Sequence, residues 1–372
     1  MIGDTFRARA AELERDGRSR LYVELMRAAG DDADAGGIVA TIFAGDPMTP
    51  GSVPELRLLA ALHHVVLSGD APALARYFPS AGGDAPPQQA WVVARATLAE
   101  HVDVIRELAR RTVQTNEPGR CVALFGGLLW LAERHGLPIR LLEIGASAGL
   151  NLNVDRFRYV VGGTPLGDPG SPLEFSEPWL RRPVADPAAT AGRLRIDERG
   201  GCDRGPLDAT THEGRLTLQS YVWPDEPERI ARVGHAAAVA ERHPVEVQRR
   251  DAGAWLLERL GDARPGMLTV VWQSVVNQYL DDGERDTIRS AFASAAGGPL
   301  AWLTLEPPPA GGGGKRFELR CRERTEDNGS GVARLLAHAG YHGPLVEWQA
   351  PGLAGAGVAG AAPAATSCGC GR

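Results

Sequence analysis

Cysteine is scarce in this sequence, with five residues in a chain of 372. A sparse, odd-numbered set does not indicate the disulfide framework of a small secreted domain. Only Cys368 and Cys370 lie close together, and a structural zinc site normally needs four ligands. We therefore expect no metal centre.

The sequence also lacks a basic excess, a membrane-spanning apolar run and an internal repeat. Its 40 lysines and arginines face 46 aspartates and glutamates, a net charge of −6, whereas a nucleic-acid footprint is usually basic. A membrane helix needs about 20 consecutive apolar residues, and no signal-peptide pattern is present. These absences predict a cytoplasmic protein that binds neither nucleic acid nor membrane, and they leave its oligomeric state open.

What the sequence does contain is enough apolar material for a large core. Hydrophobic residues make up 44% of the chain, whose length suits an α/β domain with an accessory region. Across residues 1–136, apolar residues such as Leu59, Leu62 and Val66 recur at helical spacing, and Gly/Pro clusters separate the segments. The pattern predicts an N-terminal all-helical cap.

From residue 137 short apolar runs alternate with helical segments. Three of these runs are Ile139–Ile144, Met267–Trp272 and Leu300–Leu305. The alternation predicts a doubly wound, mostly parallel sheet over residues 137–350. We expect an insertion at about 162–217, a helix at Val332–Ala339 and a flexible Gly/Ala-rich tail at 351–372.

The segment Leu141–Asn151 is expected to form a strand, a glycine-rich turn and a helix start. Its motif G-x-S-x-G, at residues 145–149, fits the nucleophile elbow of a serine hydrolase, with Ser147 as nucleophile. The longer motif E-x-G-x-S-x-G, beginning at Glu143, fits the loop with which S-adenosylmethionine (SAM) enzymes hold their cofactor. There, glycines let the backbone approach the ligand and helix amides face it. A purely structural glycine turn is the third interpretation.

Three observations favour the cofactor loop. Glu143 lies inside the strand, where a buried carboxylate costs several kcal/mol unless a ligand or a backbone donor satisfies it. No histidine occupies the position after a strand that a hydrolase triad needs. Asp251 and Ala252 follow another strand and open a helix, where SAM enzymes often bind the adenine amino group.

Polar residues follow two further predicted strands. Because ligands bind beyond the carboxyl ends of parallel strands, we expect Gln273 and Ser274 to contact the cofactor. Glu306 is the candidate general base, Tyr279 a weak acid or base, and Asn277 an orienting amide. The alternative is that these residues cap the next helix or are simply solvated.

Remaining candidates flank the glycine loop. Gln114, Asn116 and Arg120 precede the helix that leads into the first strand, and we expect them to bind substrate, although Asn116 also suits an N-cap. Asn151 belongs to the loop. Asp155 is expected either to reach ribose hydroxyls or to pair with Arg158.

Four blocks of the chain resemble the uncharacterised bacterial "domain of unknown function 2332" family. They are Tyr77–Gly83, Gln114–Arg120, Leu142–Tyr159 and Trp272–Tyr279. The resemblance implies a Rossmann-like sheet domain similar to class I SAM-dependent methyltransferases behind a helical N-terminal region, and no known reaction. By position, Glu143, Gly145 and Gly149 match the methyltransferase loop and Asp251 matches its adenine-contact aspartate.

We therefore expect SAM as cofactor and methyl transfer to a small molecule or peptide. One alternative is a serine hydrolase that uses Ser147. The other is a nucleotide-binding module that retains the fold without chemistry. An acidic residue at the end of the second strand, the usual ribose ligand, is not apparent from the sequence.

Overall fold

A computed structural model describes residues 2–48, 51–295, 297–308, 316–325 and 329–349. The predicted tail at 351–372, with Cys368 and Cys370, lies outside the described residues.

The N-terminal part of the chain forms helices, as the apolar spacing predicts. Described residues up to His135 contain no strand, and their α-helices are α1 Ile2–Arg15, α2 Arg20–Asp34, α3 Ile38–Ile42, α4 Pro54–Leu67, α5 Pro72–Ala75, α6 Ala90–Glu100, α7 Val102–Arg110 and α8 Cys121–His135. The first seven surround an apolar core of their own, which includes Phe6, Met26 and Leu62. Pro54 opens α4, since a helix has no partner for the first N–H.

The rest of the chain alternates strands and helices. The strands are β1 Ile139–Ile144, β2 Arg158–Val161, β3 Thr164–Gly167, β4 Glu174–Ser176, β5 Trp179–Arg181, β6 Ile196–Asp203, β7 Val247–Arg249, β8 Leu268–Ser274, β9 Leu300–Glu306, β10 Phe317–Thr325, β11 Gly329–Ser330, β12 Arg334–Ala339 and β13 Val346–Trp348. The helices are α9 Pro187–Ala191, α10 His212–Ser220, α11 Pro227–Arg242, α12 Ala252–Gly261 and α13 Asp282–Ala293.

The large sheet is mostly parallel, and its strand order is β5-β13-β12-β10-β9-β8-β1-β6-β7, with β11 beside β10. Strands β7, β6, β1, β8 and β9 run parallel, and β10 is antiparallel to β9. From β1 the chain winds outward to β6 and β7, then returns to β8 on the other side of β1. This reversal leaves a crevice at the carboxyl ends of β1 and β8, where open α/β sheets bind ligands.

Helices cover both faces of the sheet. Leu141 of β1 belongs to an apolar cluster that includes α8 and α11. Its neighbour Leu142 belongs to another cluster with Trp255 of α12 and Phe292 of α13. Successive side chains of a strand point to opposite faces, so β1 is buried on both sides, which explains its continuous apolar run.

Strand β6 corrects the expected insertion at 162–217, because this strand lies inside that segment and pairs with β1. Its sequence, IDERGGCD, is charged and glycine-rich and does not read as a buried strand. The glycine at 201 is required by packing, since a Cβ there would lie 2.7 Å from the Cβ of Ala146. A small three-stranded sheet of β2, β3 and β4 does occupy part of the segment.

One local prediction is wrong. The segment Val332–Ala339 does not form a helix: Arg334–Ala339 is strand β12, which pairs with β10 and β13. The helix that begins after Gly149 is a 3₁₀ helix, Leu150–Arg156. Among the described residues, none of the helices has the length and apolar character needed to span a membrane.

Candidate functional site

A cleft of about 540 Å³ lies at the carboxyl ends of the central strands. Its floor comes from the ends of β1, β6 and β8. Its opposite wall comes from the helical region, with residues 45–47, 51, 52, 57, 110–116 and 120. This volume falls within the range of small-molecule pockets. The sheet and the helical region therefore build the cleft together.

The glycine turn that follows β1 forms one edge of the cleft. Gly145 has φ +65°, and a Cβ there would lie 2.6 Å from Val276 Cγ2. Gly149 has φ +71°, and a Cβ there would lie 2.8 Å from Val245 Cγ2. The backbone angles and the packing both require glycine at these two positions, so the fold alone accounts for them.

Ser147, between the two glycines, is held by its neighbours. Its hydroxyl donates to Gln114 Oε1, and its backbone N–H donates to Asp203 Oδ2 at 2.9 Å. No histidine among the described residues hydrogen-bonds to Ser147; the buried His63, for instance, bonds to Ser80 and Ser220. The base that an elbow serine needs is thus not in contact with it.

Asp203 is the functional candidate that the sequence analysis missed. It ends β6, beside the end of β1, and lines the cleft. Besides the Ser147 N–H, its carboxylate accepts from Gly205 N at 2.8 Å and from Gln114 Nε2 at 3.4 Å. Each carboxylate oxygen has two lone pairs, so these three bonds leave capacity for one further donor, at Oδ2. In the sequence, Asp203 ends a charged and glycine-rich segment that does not indicate a strand, so its position at a strand end could not be recognised.

Glu143 is buried in the cleft wall, opposite Gly201 of β6 and Trp272 of β8. Its Oε1 accepts from Asn151 Nδ2 at 3.3 Å, while its Oε2 has no hydrogen-bond partner. Burial raises the pKa of this carboxyl to about 8, against the opposing effect of Asn151. The fold therefore maintains a buried acceptor that it does not satisfy, at a cost of about 1–3 kcal/mol.

Arg120 is a buried cation in the same cleft. Its Nη1 donates long bonds of 3.4 Å to the carbonyl and hydroxyl oxygens of Ser274, and its Nε has no partner. Within the described part of the chain, no carboxylate forms an ion pair with it, and burial lowers its pKa. Glu143 and Arg120 thus provide an acidic and a basic group whose hydrogen-bonding capacity is not filled.

Several other predicted residues also line the cleft, namely Gln114, Asn116, Ala252, Ser274 and Tyr279. The Asn116 side chain caps the 3₁₀ helix, because its Oδ1 accepts from Leu150 N at 2.9 Å. Burial raises the pKa of the Tyr279 hydroxyl, so this group remains protonated at neutral pH. Tyr279 can donate a hydrogen bond to a ligand but is a poor base.

Glu306, the predicted general base, is not among the described residues that line the cleft. Its Oε1 accepts from Gln273 Nε2 at 2.9 Å, Val276 N at 3.0 Å and Asn277 N at 3.3 Å. The carboxylate therefore fixes the turn after β8. Gln273 and Asn277 line a separate cavity of about 300 Å³, so the structure does not bring these three predicted residues to the cleft.

Two predicted cofactor residues are also placed elsewhere. Asp155 forms a two-pronged pair with Arg199, at 2.8 and 3.1 Å, because the 3₁₀ helix carries it toward β6. The predicted partner, Arg158, pairs with Glu174 instead. The Asp251 side chain is exposed and accepts from Arg204 Nε at 3.2 Å. Asp251 is not among the described residues that line the cleft, whereas the next residue, Ala252, is.

Comparison with known proteins gives one family match. Residues 4–348 match the family described as an uncharacterized protein conserved in bacteria, DUF2332. No curated protein matches the chain. The description assigns no reaction, so any function has to be argued from the cleft.

Proposed function

The chain belongs to the DUF2332 family, and we propose that it is a SAM-dependent methyltransferase whose cofactor binds in the cleft beside Glu143. The sheet order supports this proposal. Counted in chain order, strands β7-β6-β1-β8-β9 form a 3-2-1-4-5 series, the order of Rossmann-like dinucleotide-binding sheets. The cleft lies where such sheets bind adenosine-containing ligands.

The observation that carries the proposal is a pair of incompletely satisfied ionisable groups, the Glu143 carboxyl and the Arg120 guanidinium, in one cleft. SAM ends in an amino-acid group with an ammonium and a carboxylate. An ammonium supplies the donor that Glu143 Oε2 lacks, and a carboxylate supplies the acceptor that Arg120 lacks. The groups that the fold leaves unsatisfied are therefore complementary to both charges of this ligand.

The remainder of the ligand also has candidate partners. Asp203 ends the strand next to β1, where the lone pair left on its Oδ2 suits a ribose hydroxyl. Ala252, the first residue of α12, lines the cleft beyond β7, and it suits the adenine ring. Asp251 occupies the N-cap position of α12, but its side chain makes no capping hydrogen bond and is turned to Arg204.

When bound, SAM supplies an electrophilic methyl group on its sulfonium. The protein then has to align the acceptor with that group and exclude water, which is mainly a matter of proximity and orientation. Tyr279 can orient an acceptor by donating a hydrogen bond. Because Glu306 is engaged with the turn after β8, we assign it no proton transfer, and the acceptor atom should itself be nucleophilic near neutral pH.

Calorimetry with SAM and S-adenosylhomocysteine (SAH) tests the proposal. We expect binding to the wild type, and at least tenfold weaker binding to Glu143→Gln, which lacks the charge for the ammonium. Glu246→Gln is the matched control, because Glu246 is exposed and does not line the cleft. Absence of both heat and thermal stabilisation with either ligand would remove the proposal.

Proton release gives a second, sharper readout. Since the pKa of Glu143 is about 8, this carboxyl is mostly protonated at pH 7 in the free protein. An ammonium beside it favours the charged form, so binding should release a proton. Calorimetry at pH 7 in buffers of different ionisation enthalpy measures this release, which should disappear in Glu143→Gln. Binding without a release would contradict the role given to Glu143.

Two alternatives are separated by their own experiments. A serine hydrolase would be labelled by a fluorophosphonate probe in a manner abolished by Ser147→Ala; the contacts of Ser147 favour no labelling. A binding module without chemistry is favoured by the engagement of Glu306, the predicted general base, with the turn after β8. Such a module would bind SAH yet transfer no radiolabelled methyl group from SAM to pools of small molecules or peptides.

A further inference from the structure

The cleft carries more positive charge than the cofactor accounts for. Six arginines line it against four acidic residues, Asp46, Glu143, Asp203 and Glu284. Three of the arginines are neutralised in ion pairs: Arg111 with Glu107 and Glu213, Arg204 with Asp251 and Glu284, and Arg250 with Glu258. Arg57 pairs with Asp46 but keeps two donors without a partner. Among the described residues, Arg110 and Arg120 remain without an ion pair, and the proposed function uses Arg120 alone.

Arg57 lies on α4, in the wall that faces the sheet, and its side chain is 8% exposed. Its Nη1 donates to Asp46 Oδ2 at 2.8 Å and to the Ala109 carbonyl at 3.0 Å. Its Nε and Nη2 have no partner. A buried guanidinium with two unfilled donors is costly in the free protein, and an anion beside it removes that cost.

Arg110 supplies a second cation at the same wall. It is exposed, ends α7 and follows Ala109, whose carbonyl holds Arg57. Burial opposes ionisation of Asp46, but the hydrogen bonds from Arg57 and Met48 N and the charge of Arg110 lower its pKa. Both arginines therefore act on one carboxylate. Within the described residues Arg110 forms no ion pair, so this group of three carries a net positive charge.

We infer that the acceptor in the proposed methyl transfer is an acidic small molecule, whose carboxylate or phosphate binds Arg57 and Arg110. The identification of this anion as the methyl acceptor rests on the proposed function. The anion subsite itself rests on the contacts of Arg57 and Arg110. Tyr279 lines the same cleft and can donate a hydrogen bond to the same ligand. A cationic acceptor would be repelled by this wall.

The test is a calorimetric titration of the protein saturated with SAH, using inorganic phosphate in one arm and succinate in the other. We expect one of these anions to bind and Arg110→Gln to weaken that binding about tenfold or more. Arg110 is exposed, so its replacement should not unfold the chain. Arg106→Gln is the matched control, since it removes the same charge from the same helix outside the cleft.

The outcomes separate the inference from the proposed function. If SAH binds but neither phosphate nor succinate does, or if Arg110→Gln and Arg106→Gln weaken anion binding equally, the anion subsite is overturned and the cofactor proposal stands. If SAH itself does not bind, the proposed function fails. The anion titrations are then repeated on the protein without SAH. There, a weaker anion affinity of Arg110→Gln than of Arg106→Gln supports the anion subsite, and equal affinities overturn it.

Discussion

The carboxylate of Asp203 accepts a hydrogen bond from the backbone N–H of Ser147, with Oδ2 and N 2.9 Å apart. This contact joins the end of β6 to the middle of the glycine turn after β1. The turn and the missed acidic residue therefore form one unit at the edge of the cleft. The hydrogen bond from Ser147 N to Asp203 also explains how Ser147 maintains a φ of +54°. A non-glycine residue rarely adopts this angle without support.

Asp203→Asn should weaken SAH binding by about tenfold or more, because it replaces the charged acceptor assigned to the ribose hydroxyls. Calorimetry measures the change. Asp197→Asn is the control, since Asp197 lies on the same strand, exposed and remote from the cleft. Equal affinities for the two variants would contradict the assignment of Asp203.

Gly145→Ala should destabilise the fold more than Gly136→Ala. Both glycines have nearly equal angles, φ +65° and +63°, but a Cβ at 136 meets nothing within 4 Å. Gly136→Ala should lower the free energy of unfolding by about 1–2 kcal/mol, the backbone strain of an alanine at positive φ. Gly145→Ala should lower it by about 1–3 kcal/mol more, because of the clash with Val276. Urea unfolding measures both, and Val276→Ala should recover part of the loss. Equal costs would contradict the clash.

The stability of the protein without ligand should fall relative to Glu143→Gln as pH rises from about 4.5 to about 8. In that interval the folded state, with a pKa of about 8, binds a proton that the unfolded state has already released. The free energy of unfolding therefore falls by up to about 1.4 kcal/mol per pH unit. Denaturant unfolding at pH 5, 6.5 and 8 measures the difference, and parallel stability curves for the two proteins would refute it.

Glu117→Gln should destabilise the fold by about 3 kcal/mol, because it leaves Arg229 with Glu226 alone and Arg232 without its ion pair. The buried Glu117 pairs with Arg229 at 2.7 Å and with Arg232 at 3.2 Å, which ties the start of α8 to α11. Urea unfolding compares it with Glu228→Gln, an exposed position on α11, which should change stability little. A similar small effect at both sites would contradict the prediction.

The same residue has a pH signature of opposite sign to that of Glu143. Burial works against ionisation of Glu117, but Arg229, His342 and Arg232 outweigh it and lower the pKa. A lowered pKa stabilises the fold above the ordinary carboxyl value of 4.5 and loses this contribution as pH falls through the folded-state value. The stability gap between wild type and Glu117→Gln should therefore narrow in acid.

The sequence by itself determined the elements whose local signals agree with their surroundings. Strand β1 is an unbroken apolar run because helices bury both its faces, and Gly145 and Gly149 are glycines because their backbone angles and neighbours exclude a side chain. The helices before His135 follow from apolar spacing alone. For these elements, local propensity and tertiary packing point to the same structure.

Only the tertiary structure decided where the chemistry lies. Strand β6 carries charges and glycines, one of them required by the approach of Ala146, so pairing with β1 identifies it as a strand and brings Asp203 to the cleft. Glu306 is fixed in place by the turn after β8, an arrangement that no spacing reveals. Arg57 reaches the cleft because the helical region packs over the sheet's carboxyl edge. Such contacts join residues distant in sequence, and periodicity reports only on neighbours along the chain.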